Sequence, residues 1–148
     1  MINSRVEEIK ELFAKHNNWE DKYREIIKIG KSLNELDSDK QIEKFKIKGC
    51  QSQVWLYPKY NGGIVTFGAW SDAVLVKGII GILVSVYSGL KPDQILEIKP
   101  TFLSDIGITD HLSMNRTNGL ASMMKQIQMY AVVYKSMQDK GLQSAPDL

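Results

Sequence analysis

The sequence predicts an α+β fold in which a small antiparallel three-stranded sheet carries helices on one face. Three observations lead there. Apolar residues recur at helical spacing at both ends, with Val6, Ile9, Leu12 and Phe13 near the start and Leu120, Met123, Met124, Ile127, Ala131 and Tyr134 near the end. Between Phe45 and Trp70 the period falls to two and Asn61-Gly62-Gly63 interrupts it, which is the pattern of strands and a tight hairpin. Helices before and after a strand run imply layers of helix on an antiparallel sheet. A length of 148 residues suits one domain, 1–148, with an ordinary hydrophobic core.

Each element has its own signals. Ser4-x-x-Glu7 reads as a capping box opening the first helix. Asn18 is placed to cap a second segment, in which Trp19, Tyr23, Ile26, Ile27 and Ile29 form an apolar side before Gly30 ends it. Two short helices, or one bent at Asn17-Asn18, fit equally well. Residues 31–42 are polar and irregular and read as a surface connector. Phe45 and Ile47 alternate with Lys46 and Lys48, which predicts a first strand ending at Gly49. Val54 to Tyr60 and Ile64 to Trp70 follow as second and third strands, with Pro58 demoting part of the second to an edge or a bulge. Ser71 is placed to cap a helix running to Ser88, with Asp72 at its positive end and Gly89 beyond its close. Gly78 and Gly81 leave one side of that helix bare for close packing on the sheet. Pro92 opens a short helix to Glu97, and Pro100 another short turn. The last helix is expected from Asn115 or Arg116 to Gly141, with Leu142 to Leu148 as a frayed tail.

Composition removes several function classes. The chain is 43% hydrophobic and 24% charged, the balance of a soluble globular protein. Its net charge of +2 comes from 19 basic and 17 acidic residues with no run of five or six like charges, so a nucleic-acid partner is not expected. The apolar stretch from Gly78 to Leu90 falls short of the ~18 residues of a membrane span. Met1 to Lys10 lacks the basic and apolar regions of a signal peptide, and a single thiol suits a reducing compartment, so a cytoplasmic location is expected.

That thiol is Cys50, in Lys48-Gly49-Cys50-Gln51-Ser52-Gln53-Val54-Trp55-Leu56, and it lies on the loop between the first two predicted strands. One cysteine closes no internal disulfide and builds no thiolate cage, which leaves a nucleophile, a sulfur carrier or an inert buried side chain. Lys46 and Lys48 would lower its pKa if they faced it, and the peptide N–H groups of the Gly49 to Gln53 turn would hold an anion. The segment resembles the acceptor-cysteine signature of the SufE family of sulfur-acceptor proteins. Asn18-Trp19-Glu20-Asp21-Lys22-Tyr23-Arg24, Ser71-Asp72-Ala73 with Val76-Lys77-Gly78, and His111-Leu112-Ser113 with Arg116 and Asn118-Gly119-Leu120 add further matches in order. The chain departs from the family pattern where the connector lacks prolines and where Gly68-Ala69-Trp70 precedes the serine-aspartate pair.

The resemblance implies a fold shared with IscU-type iron–sulfur scaffolds, and Cys50 as acceptor of persulfide sulfur. It implies a pyridoxal-phosphate cysteine desulfurase, SufS-like, as donor and activated partner, and a downstream iron–sulfur scaffold as recipient. The pyridoxal phosphate would belong to the donor, and no cofactor or metal is expected in this chain; His16 and His111 are too distant in sequence to suggest a metal pair. Gly49, Gln51, Ser52, Gln53, Asp72, His111 and Arg116 are the expected loop and partner contacts, each with a plainer alternative. Gln51 and Gln53 are otherwise solvent-exposed, Asp72 a helix-start residue, His111 a capping or core residue, and Arg116 the partner of a local carboxylate. Trp55 reads as core. The rivals are a cluster scaffold, which needs about three ligands where this chain has one cysteine, a cysteine hydrolase or peroxidase, which lacks an evident histidine-acid pair, and a binding module that activates a desulfurase without carrying sulfur.

Overall fold

The structure, a computed structural model, describes residues 2–146, the first two of these by backbone alone. It opens with two separate helices, α1 (Ile2–Ala14) and α2 (Trp19–Lys31). Asn18 sets the start of α2: its side-chain oxygen accepts the Asp21 N–H at 2.9 Å, filling a donor that helix starts leave open. Ser4 already lies inside α1, so the expected capping box does not stand at its N-cap. Gly30 does not end α2 but sits buried within its last turn.

The sheet is a two-stranded antiparallel hairpin, not the three strands expected. Strands β1 (Val54–Asn61) and β2 (Ile64–Ser71) pair in register from Val54 opposite Ser71 to Asn61 opposite Ile64. Gly62 and Gly63 turn the corner with φ of 62° and 76°, the left-handed pair that a two-residue turn between twisted strands requires. Where the remaining strand was expected, Glu43–Phe45 winds into a 3-10 turn and only one bridge forms, Lys46 to Trp55, with Ile47 N–H donating to the Val54 carbonyl at 2.8 Å. The alternation misled because its two apolar residues serve different cores. Phe45 packs with Leu36, Trp55 and Tyr57 on one face of the hairpin, whereas Ile47 joins Val54, Leu56 and the helices on the other. The connector is therefore no mere surface loop: Leu36 lies against that second face, close enough to Gly68 that a Cβ there would meet it at 2.9 Å.

Both outer edges of the hairpin are covered. The Val54 and Tyr60 carbonyls of β1 point outward, to Ile47 and Ala145, so Pro58, in phase with them, turns its missing N–H away from β2. Strand β1 accordingly runs straight through Pro58. Along β2 the outward groups of Val65 pair with Gly89 and Leu90, and Phe67 N–H donates to Ser88 Oγ.

Helix α3 (Val74–Tyr87) crosses the main face of the sheet, and its glycines serve a neighbour other than the one expected. Gly78 and Gly81 face α2: a Cβ on Gly78 would collide with the Ile26 carbonyl, and one on Gly30 would lie 2.7 Å from Gly78 N. Two short helices, α4 (Pro92–Glu97) and α5 (Thr101–Asp105), lead to α6 (Met114–Asp139), which buries the six predicted apolar positions together with Gly119. No helix among the described residues is long and apolar enough to cross a membrane. The tail is docked, not frayed, as far as it is described. Gly63 N–H donates to Gln143 O at 2.8 Å, Ala145 N–H to Tyr60 O at 3.1 Å, and Tyr60 OH to Leu142 O at 2.7 Å; Asp147 and Leu148 lie outside the described residues.

Candidate functional site

The rung between Ile47 and Val54 closes a loop of which Cys50 is part, and three features fix the loop's path. Gly49 takes φ of 89° and presses against α6, where a Cβ would meet Ser122 Oγ at 2.6 Å. Ser71 Oγ donates to the Gln53 carbonyl at 2.8 Å and accepts from Ala73 N–H at 3.2 Å. Asp72 accepts the Gln53 N–H on Oδ1 at 3.0 Å. Ser71 and Asp72 thus do not cap α3, whose N-cap is Ala73 without a side-chain bond; they hold the main chain of the cysteine loop.

Cys50 is half-buried under α6. Its thiol donates to the Gly119 carbonyl at a sulfur–oxygen distance of 3.6 Å. Burial pushes the thiol pKa above its ordinary 9.0, the opposite of the lowering expected from Lys46 and Lys48. Those two lysines line a different concavity, which shares no lining residue with the one beside the sulfur. The resting cysteine is therefore a protonated thiol whose hydrogen bond runs to a carbonyl, a partner that a thiolate would lose.

A cavity of about 270 Å³ opens beside the sulfur. Cys50, Gln51 and Ser52 form one wall, and Val76 and Ile79 of α3 with Gly119 and Met123 of α6 form an apolar one. Ser113, Asn115 and Arg116 complete it at the start of α6, where Ser113 caps the helix by accepting Arg116 N–H at 3.3 Å. The Arg116 side chain is exposed and forms no ion pair with the described residues.

Of the sequence candidates, Cys50, Gln51, Ser52 and Arg116 meet at this cavity, while Gly49, Gln53 and Asp72 shape the loop from behind. His111 stands apart, with its ring stacked on Trp19 at 4.6 Å. Trp55 is core, on the face of the hairpin turned to the connector. Nothing in the sequence placed Val76, Ile79, Met123 or Gly119 at the site, although Met123 was expected on the apolar face of the last helix and Val76 and Gly119 lie in segments that carry the family resemblance. Gly119 carried a usable signal, since a glycine inside a helix costs roughly 0.5–1 kcal/mol and needs a packing reason; here the reason is the sulfur, 3.3 Å from where its Cβ would stand. Among the described residues no group of three or more His, Cys, Asp or Glu side chains is placed to hold a metal.

Comparison with known proteins identifies the family and the fold. Residues 7–131 match the SufE family model, described as an Fe-S metabolism associated domain. An uncharacterized SufE-like protein of Rhizobium etli is 38% identical over 133 residues, 86% of this chain and 90% of its own length. A second, from Rhizobium meliloti, is 36% identical over 131 residues, 85% of this chain and 94% of its own. The solution structure of a hypothetical protein from Thermus thermophilus shares the fold, with a TM-score of 0.75 over 89% of this chain and 96% of that one at 19% identity. A family match spanning the hairpin, the cysteine loop and most of α6, with relatives alike over nearly their whole length, places the chain in the SufE family, with a role in iron–sulfur metabolism.

Proposed function

We propose that the protein is a sulfur acceptor: Cys50 takes the terminal sulfur of a persulfide held by a pyridoxal-phosphate cysteine desulfurase of SufS-like type, and passes it to an iron–sulfur assembly scaffold. By clearing the donor's persulfide it raises the donor's turnover. The observation that carries this reading is the chain's single cysteine on the wall of a cavity with one apolar side and one polar, cationic side. The pyridoxal phosphate remains with the donor.

The transfer balances without oxidant or reductant. Cys50 thiolate attacks the outer sulfur of the donor persulfide; a new S–S bond forms as the donor's breaks, and the donor cysteine leaves as a thiolate that takes up the proton Cys50 has lost. At rest the raised pKa and the bond to Gly119 hold that proton in place. Docking that draws Cys50 away from the Gly119 carbonyl removes an acceptor unfavourable to the thiolate, so reactivity follows partner binding. Arg116 would then balance the persulfide anion, while Val76, Ile79 and Met123 limit water around it. In this reading Gly49, Gln51, Ser52 and Gln53 shape the moving loop, Asp72 is its hinge clamp, and the exposed His111 belongs to the surface that meets the donor.

Intact-mass analysis after incubation with a cysteine desulfurase, pyridoxal phosphate and free cysteine tests the reading. Wild type should gain one or more sulfur atoms that reductant removes, and Cys50→Ser should gain none and lose its stimulation of the donor. A wild type that stays unloaded while its thiol still alkylates would end the carrier reading, and a Cys50→Ser protein that stimulates fully would identify a non-carrying activator.

A further inference from the structure

A second concavity, of about 570 Å³, lies between the segment that leads into the cysteine loop, Glu43 to Lys48, and α6 from Ser122 to Met129. Lys44, Lys46, Lys48 and Lys125 line it against one carboxylate, Glu43. The groove's ionisable side chains sum to +3 against a whole-chain charge of +2, so the rest of the chain carries a net charge of −1. The sequence hides this cluster because three of its lysines alternate with Phe45 and Ile47 and the fourth comes from α6. None of the four forms an ion pair with the described residues, and Lys44 only lies 5.8 Å from the Phe45 ring.

The groove also has an apolar side. Met129 lines it and is 53% exposed, and one turn further along α6 Val132 and Val133 are 57% and 48% exposed. Uncompensated ammonium groups beside an uncovered thioether and two valines match a ligand with carboxylates and an apolar side chain. The groove adjoins the reactive loop, because Ser122 lines it and is the residue against which Gly49 packs. We infer that this groove docks an acidic protein segment bearing an apolar residue, and, resting on the sulfur-acceptor reading, that the segment belongs to the protein that donates sulfur to Cys50. Single-stranded nucleic acid fits less well, since no aromatic ring lines the groove to stack a base.

The test is fluorescence anisotropy with a labelled synthetic peptide alternating glutamate and leucine, carried out on Cys50→Ser protein so that sulfur chemistry plays no part. Saturable binding should weaken as salt is raised. It should fall at least about tenfold when Lys44, Lys48 and Lys125, all exposed, are together changed to Glu. Glutamine at the same three positions should give an intermediate loss, with circular dichroism melts matching the parent to show that folding is intact. Absence of saturable binding, indifference to charge reversal, or tighter binding of a single-stranded RNA of equal charge would overturn the groove assignment. With Cys50 present, the charge-reversed protein should need several-fold more desulfurase for half-loading yet reach the same final load; loading at wild-type concentrations would overturn the link to the sulfur donor. If wild type takes no sulfur at all, the acceptor reading fails while the anisotropy result still decides the groove.

Discussion

At the scale of single residues the site turns on the contact between Cys50 and Gly119. The missing Cβ of Gly119 would lie 3.3 Å from Cys50 Sγ and 3.9 Å from its Cβ, so the glycine makes the seat in which the thiol is buried. That burial raises the thiol pKa above 9.0, so the resting thiolate fraction at neutral pH is below that of an unhindered cysteine. Alkylation should therefore go on rising with pH beyond the point where a free thiol levels off. In Gly119→Ala the new methyl would stand 3.3 Å from the sulfur, a few tenths of an ångström too close, and a loop side chain gives way sooner than the backbone of a 26-residue helix. We expect iodoacetamide to react several-fold faster at neutral pH, with the pH–rate profile moved down toward that of free cysteine. The melting temperature should hold or rise slightly, because alanine is worth roughly 0.5–1 kcal/mol over glycine in a helix. Reaction no faster than wild type would show that Gly119 does not set the seat.

At the scale of elements the same substitution has the opposite sign one helix away. Propensity alone would make Gly78→Ala stabilising by about 1 kcal/mol. Its Cβ, however, would run into the backbone carbonyl of Ile26, and α2 and α3 would have to part along a buried seam. Overpacking against backbone should win, with a loss of about 1–3 kcal/mol or more, read as a lower urea midpoint. A rise in the midpoint would mean that the helices slide freely. Between elements, Asp72 ties the start of α3 to the cysteine loop through Gln53 N–H. Asp72→Asn keeps an acceptor and should behave as wild type, whereas Asp72→Ala should speed amide exchange at residues 51–53 at a cost of about 1 kcal/mol; equal exchange in both variants would remove the clamp. The helices and the hairpin were legible because each rests on local periodicity and turn chemistry, in the spacing of α6 and in Gly62-Gly63. The clamp was legible only through the family resemblance, which put Asp72 among the loop contacts; by itself a serine-aspartate pair before a helix reads as a cap until the chain brings Gln53 beside it. The missing third strand and the face of α3 chosen by Gly78 failed for the same cause: periodicity says that residues share a side, not which neighbour covers it.

At the scale of the whole molecule the hairpin separates two ends with different tasks. Strand β1 has 8 residues, so at roughly 3.3 Å per residue the cysteine loop and the Gly62-Gly63 turn lie about 25 Å apart. Cys50 was legible as the site because its neighbours in sequence are also its neighbours in space, whereas Val76 and Met123 reach the cavity only through the packing of α3 and α6. The far end is held by the chain's own C-terminal segment, which no composition signal marked. Its three hydrogen bonds to the hairpin are each worth about 0.5–1.5 kcal/mol, but ordering the residues that make them costs about 1–2 kcal/mol apiece, so the strap itself contributes little net stability. The decisive term is Tyr60, 3% exposed and stacked on Tyr134 at 5.0 Å, whose hydroxyl loses its Leu142 acceptor if the strap is removed. Ending the chain after Gly141 opens that hydroxyl to water and should accordingly cost about 0.5–1.5 kcal/mol, the net worth of the hydrogen bond it loses. Amide protection should fall at Gly63, whose N–H has the Gln143 carbonyl as its acceptor, while Cys50 alkylation and sulfur loading stay at wild-type values. A shortened chain that keeps its melting temperature but loses sulfur loading would show that the strap acts on the cysteine end, against the separation the hairpin imposes.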